Sequence, residues 1–131
     1  MNQFGLKPEV ITQINQIFAE YPEISKAILY GSRAKGNYKN GSDIDLTLIS
    51  DRLDHRQLLQ IQNQIDDLLL PYSIDLSIFS SIDNLHLIEH INRVGITFYE
   101  KKMLWNSRTW YWVTIVFAPS IYSKSSFLVV K

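Results

Sequence analysis

The chain has 131 residues, of which 46% are hydrophobic and 20% charged, with a formal net charge of zero. That length and composition describe one globular unit with a real core and exclude a disordered chain. Zero net charge excludes a global field for nucleic acid, and the absence of cysteine excludes disulfides and thiolate metal sites. The N-terminal MNQFGLKPEV lacks the cationic start and apolar run of a signal peptide, and no stretch reaches the roughly 20 apolar residues of a membrane span. The expectation is a cytoplasmic protein without membrane association or strong direct nucleic-acid binding.

The charge is unevenly spread. The stretch to Glu100 holds all 13 acidic residues and eight of the 13 basic ones, while residues 101–131 hold the other five and no acid. All three tryptophans, Trp105, Trp110 and Trp112, lie in that tail.

In chain order, Pro8 and Glu9 suit a first helical turn, and Val10, Ile11, Ile14, Ile17 and Phe18 recur at helical spacing. They predict a helix over 8–20, ended by Tyr21-Pro22. Lys26–Tyr30 is a short apolar strand running into Gly31-Ser32 and then Arg33-Ala34-Lys35-Gly36. Residues 37–41 carry turn chemistry. Asp43–Ile49 alternates cleanly: Ile44, Leu46 and Leu48 face one way, and Asp43, Asp45 and Thr47 the other.

Asp54 is placed to cap a helix over 55–70, with Leu58, Leu59, Ile61, Ile65, Leu68 and Leu69 on its apolar side. Ser73–Phe79 repeats the strand pattern, with Asp75 opposite Ile74 and Leu76. A helix over 84–94 ends at Gly95, and Ile96–Tyr99 closes as a strand. The order predicts an α+β, two-layer fold: a small mixed sheet with helices packed on one face. Residues 110–117, WYWVTIVF, have high strand propensity with apolar side chains on both faces.

The chemistry lies in carboxylates. Asp43 and Asp45 share a strand face, and Asp75 has the same setting. If the two strands are neighbours, three like charges converge and repel. A divalent cation resolves this, and a small set of hard oxygen ligands suits Mg²⁺. At Gly31-Ser32 the backbone can approach a ligand closely, and N–H groups with a hydroxyl favour phosphate oxygens. Taken singly, a Gly-Ser turn is ordinarily only a turn, and Asp-x-Asp at a strand edge is a solvated face or a cap.

Together, Gly31-Ser32-Arg33-Ala34-Lys35-Gly36 followed by Ser42-Asp43-Ile44-Asp45-Leu46 resembles the signature of the DNA polymerase β-like nucleotidyltransferase superfamily. It looks most like the minimal nucleotidyltransferase (MNT) branch, found in prokaryotes beside HEPN-domain proteins. The third family carboxylate matches Asp75, and the likeness covers roughly residues 8–100. The resemblance implies a nucleotidyltransferase fold in which Gly31 and Ser32 hold a nucleoside triphosphate. It implies that Asp43 and Asp45 bind two Mg²⁺ ions, and that Asp75 ligates one ion and helps deprotonate an acceptor hydroxyl. Arg33 reads either as a phosphate or acceptor contact or as an outward salt bridge, and Lys35 as helix surface.

The implied activity is transfer of AMP from ATP to a hydroxyl of a macromolecule. The implied role is antitoxin to a HEPN toxin, silenced by adenylylation of a tyrosine. Transfer to a small molecule of the aminoglycoside kind is the alternative enzyme, and neutralisation of a toxin by contact alone the non-enzymatic one. His86 and His90, with Glu89 between, read as a surface face rather than a metal pair because HLIEH lacks the HExxH pattern. Asp66 and Asp67 read as solvated, and Tyr30, Tyr38, Tyr72 and Tyr99 as packing or rim residues. The expected division is a nucleotidyltransferase domain over 1–102 and an aromatic, basic extension over 103–131. That extension is an added β element, a surface for a partner or a second copy, or sequence foreign to the ancestral reading frame.

Overall fold

A computed structural model describes residues 2–105 and 110–114. The first helix, α1 (Pro8–Ala19), starts on Pro8 and buries Val10, Ile14, Ile17 and Phe18 along one stripe. Strand β1 (Lys26–Tyr30) leads without a break into the short helix α2 (Gly31–Lys35). Strand β2 (Ile44–Ile49) begins one residue after Asp43.

Helix α3 (His55–Asp66) opens with a reciprocal cap: Asp54 Oδ1 accepts from the Gln57 amide at 2.8 Å, and Gln57 Oε1 accepts from the Asp54 amide. It ends four residues before the expected limit, and Leu69 turns left-handed at φ 55°. Leu69 and Leu59 are correspondingly exposed, while Ile61 and Ile65 carry the buried side of the helix. Helix spacing alone does not show where the last apolar residues leave the ladder.

Strand β3 (Ile74–Ile78) is followed by a 3₁₀ turn and then by α4 (Leu85–Val94), capped by Asn84, whose side chain accepts from the amides of His86 and Leu87. Gly95 follows α4 with an ordinary negative φ. Its smallness is steric instead, since a Cβ there would run into the Ile91 carbonyl and Ile28 Cγ2. Strands β4 (Ile96–Trp105) and β5 (Trp110–Thr114) complete the chain described.

The sheet order is β3-β2-β1-β4-β5. β2 and β3 are parallel, joined through α3, and the other neighbouring pairs are antiparallel. Leu29, Leu46 and Leu76 share one row and Ala27, Leu48 and Ile78 the next. Against this face pack α1 and α3, and Phe18, Leu29, Ile44, Leu46, Leu48 and Ile61 are fully buried there. Helix α4 packs on β1 and α2 from the face that carries Ile28. No described helix is long and apolar enough to cross a membrane.

The expected boundary after residue 102 falls inside β4. That strand pairs with β1 through Ile96, Thr97, Tyr99 and Glu100, and with β5 through residues 101–105. Of the apolar run 110–117, residues 110–114 form β5 and 115–117 lie outside the described residues. A cut at Lys102 leaves the β1–β4 ladder whole. Deleting residues 103–131 is therefore expected to preserve a cooperative circular-dichroism melt, and loss of the melt would place β5 inside the folding unit.

Candidate active site

The strand register builds the site. Tyr30, Asp45 and Asp75 are direct partners across β1, β2 and β3, forming one row on the face opposite the α1–α3 layer. The next row is Ile28, Thr47 and Ser77, where the Ser77 hydroxyl donates to Thr47 Oγ1 at 2.9 Å. Thr47 is fully buried beneath the carboxylates. Asp43 stands at the mouth of β2 and is exposed, as is Asp75, whereas Asp45 is half-buried.

This placement is felt electrostatically. Burial first, then the charges of Asp75 and Asp43, hold the Asp45 carboxyl above its ordinary value. Burial also pushes the Tyr30 phenol up; a hydrogen bond with Ser77 pulls it back, and the Asp75 and Asp45 charges add to the rise. The strands are neighbours and the three aspartates share one field. Among the described residues, however, no three His, Cys, Asp or Glu side chains are gathered tightly enough to hold a metal ion.

Gly31 lies directly against this row. Its φ is +74°, a region glycine reaches without strain, and a Cβ on it would collide with Asp45 Oδ2. Its amide donates to His90 Nε2 at 3.1 Å. Ser32 follows, half-buried, and Lys35 is on the helix surface.

For Arg33 the outward salt bridge is overturned: the side chain points inward and, among the described residues, forms no ion pair. It is 2% exposed. Nε and Nη2 donate to the Ser42 carbonyl at 3.1 and 2.9 Å, Nη1 to the Phe4 carbonyl at 2.9 Å, and Nη2 also reaches the Asn40 carbonyl. The guanidinium sits between the rings of Tyr38 and Tyr72, 5.2 and 5.0 Å from their centroids. Arg33 thus pins the carbonyl immediately before Asp43 and closes the loop that feeds β2. No local pattern signals this, since Phe4 and Tyr72 are far away in sequence.

His90 is also misread as surface. His86 and Glu89 are exposed, but His90 lies one position from buried Ile91 and faces inward. The signal was available: Leu87, Ile91 and Val94 form the inner stripe of α4, and His90 flanks it. Tyr30 and Tyr99 are buried, Tyr72 is half-buried and Tyr38 is at the rim; Asp66 and Asp67 are exposed.

Residues 12–103 match the family model described as Polymerase beta, Nucleotidyltransferase. No curated protein matches the sequence. Among solved structures, a toxin–antitoxin complex with AMP-PNP is similar at a TM-score of 0.57 and 15% identity, over 95% of this chain and 85% of that one. The complex of a tri-AMPylated Shewanella oneidensis HEPN toxin with MNT antitoxin gives 0.54 and 12%, over 95% and 84%. The toxin–antitoxin MntA-HepT gives 0.54 and 13%, over the same shares. At these identities the likeness is one of fold.

Two outcomes follow from the geometry. Arg33→Met strands the Ser42 and Phe4 carbonyls and unpairs two rings, so it is expected to cost about 3 kcal/mol in urea unfolding. Ionising Asp45 costs the folded state more than the unfolded chain. That cost is complete above its raised folded pKa and absent below the ordinary aspartate value, where both states are protonated. Asp45→Asn should therefore raise Tm at neutral pH in metal-free buffer, with the gain vanishing in acid. An unchanged or lower Tm at neutral pH would contradict the electrostatic account.

Proposed function

Because the chain belongs to the polymerase beta nucleotidyltransferase family, we propose that it transfers AMP from ATP to a hydroxyl of a partner protein. The partner in this reading is a HEPN-type toxin, which the modification silences, and the chain is its cytoplasmic antitoxin. The observation that carries the reading is the row across the sheet: Asp45 and Asp75 in register, with Gly31 backed onto Asp45. The similar structures support it, since one holds AMP-PNP and another an AMPylated HEPN toxin with its MNT antitoxin.

The residues suit Mg²⁺. Every donor is a hard carboxylate oxygen; burial first, then the charges of Asp75 and Asp43, hold the Asp45 carboxyl above its ordinary value, and a divalent cation would relieve that repulsion. Asp43, Asp45 and Asp75 would hold it by drawing closer together around the ion than they stand in its absence. When bound, Mg²⁺ supplies charge stabilisation to both the entering and the leaving oxygens.

The chain's own groups do the rest. Gly31, bare of side chain, lets the triphosphate approach the backbone, and Ser32 offers its amide and hydroxyl to phosphate oxygens. The acceptor oxygen attacks the α-phosphorus; that P–O bond forms as the bond to the bridging oxygen breaks, and pyrophosphate leaves. Asp75 would take the acceptor proton; its exposure on edge strand β3 supports that role. Arg33 is buried with four of its N–H donors on backbone carbonyls, so it acts on the site by holding the loop before Asp43.

The acceptor is brought by another molecule. A cleft of about 440 Å³, lined by residues including Ser25, Ile49, Asp51, Phe79 and Lys101, lies at the far end of β1 and β2 from Asp45 and touches none of the three aspartates. The carboxylate row itself lies open at Asp43 and Asp75.

The test is direct. The chain is incubated with a purified HEPN protein, ATP and Mg²⁺, and intact mass is recorded. The toxin is expected to gain AMP on tyrosine, and Asp43→Asn or Asp45→Asn to lower the rate by roughly 100-fold or more. AMP on an added aminoglycoside and none on the protein would favour the small-molecule alternative. Toxin neutralisation that survives Asp45→Asn would favour contact alone.

A further inference from the structure

Helix α4 reaches the site through one side chain. His90 Nε2 accepts the Gly31 N–H at 3.1 Å, and its ring stands edge-on to Tyr30, with centroids 6.1 Å apart and planes at 81°. An accepting Nε2 must carry a lone pair, so the proton of the neutral ring sits on Nδ1.

The helix that presents His90 is fixed at several points. Asn84 caps its start, Ile91 is buried, and Gly95 lets its end close onto Ile28. On the other side of residue 31, Asp45 Oδ2 occupies the space a Cβ would need. Gly31 is therefore held between a carboxylate on one strand and an imidazole on a helix. Glycine populates positive and negative φ about equally, so nothing intrinsic to residue 31 keeps it at +74°. The hydrogen bond from its amide fixes the Tyr30–Gly31 peptide plane, the reference from which the φ and ψ of Gly31 carry the chain into Ser32.

We propose that His90 is a positioning residue of the nucleotide site. By accepting the Gly31 amide it locks the Gly31-Ser32 turn beside Asp45, aims Ser32 at the phosphates and ties α4 to the site. This role rests on the reading of Gly31 and Ser32 as the phosphate-binding turn.

The experiment compares full-length wild type, His90→Gln, which keeps an acceptor, and His90→Leu, which does not. Three quantities are read: hydrogen exchange of the Gly31 amide without nucleotide, Mg·ATP affinity by calorimetry, and Tm. Loss of one hydrogen bond corresponds to roughly a 10-fold effect. His90→Leu should speed Gly31 exchange and weaken Mg·ATP binding by about that factor, with little change in Tm. His90→Gln should restore both to within about 3-fold. Wild-type exchange and affinity in His90→Leu would overturn the inference while leaving the nucleotide reading intact. Failure of the wild type itself to bind Mg·ATP would overturn both. Should His90→Leu not fold, the long-range ¹H–¹⁵N spectrum of the wild type decides: an Nδ1–H ring coupled to the Gly31 amide supports the role, and an Nε2–H ring overturns it.

Discussion

A carboxylate can stand half-buried at the edge of an apolar sheet only if its strand is anchored by the residues on either side. β2 meets that constraint. Ile44, Leu46 and Leu48 are fully buried in the α1–α3 layer, so Asp45 has no freedom to turn inward or slip register. A shift of one residue would bury the aspartates and expose three large apolar side chains. The rest of the site is placed by this anchorage: Asp75 by pairing with Asp45, Gly31 by the space Asp45 takes, and Tyr30 as the end of the same row.

The entry to β2 is held by different means. Arg33 is a cation buried without a carboxylate partner among the described residues, compensated by backbone carbonyls and two tyrosine rings. Carbonyl dipoles and ring faces stabilise a guanidinium without adding negative charge. That choice suits its position. A carboxylate partner beside Asp43 would add to the charges of Asp75 and Asp43 that, after burial, hold the Asp45 carboxyl above its ordinary value.

Local periodicity made much of this visible in the sequence. Alternation in residues 43–49 and 73–79 showed that the aspartates lie on one face and the hydrophobes on the other, and Pro8 and Asp54 marked where two of the helices begin. What stayed hidden depends on contacts between distant segments. Arg33 has its partners at Phe4, Ser42 and Tyr72, and His90 has Gly31, 59 residues earlier. Leu59 and Leu69 have helical spacing like their neighbours, yet the early end of α3 and the finite width of the sheet leave them in solvent. The α4 layer, on the face carrying Ile28, likewise cannot be read from a helix whose own pattern says only that one side is apolar.

The parallel pairing of β2 with β3 also fixes when the site can exist. Asp45 and Asp75 meet only after the chain between them has crossed over the sheet, because parallel neighbours cannot be joined by a tight turn. Closing that loop costs chain entropy before the ladder repays it. The α3 cap, made by residues three apart, can form within its own turn. A chain emerging from the ribosome therefore carries Gly31, Asp43 and Asp45 well before it carries the completed row of carboxylates. The charge cluster comes together only when the crossover shuts, so the pairing of Asp45 with Asp75 depends on β3 as much as on the strand that carries Asp45.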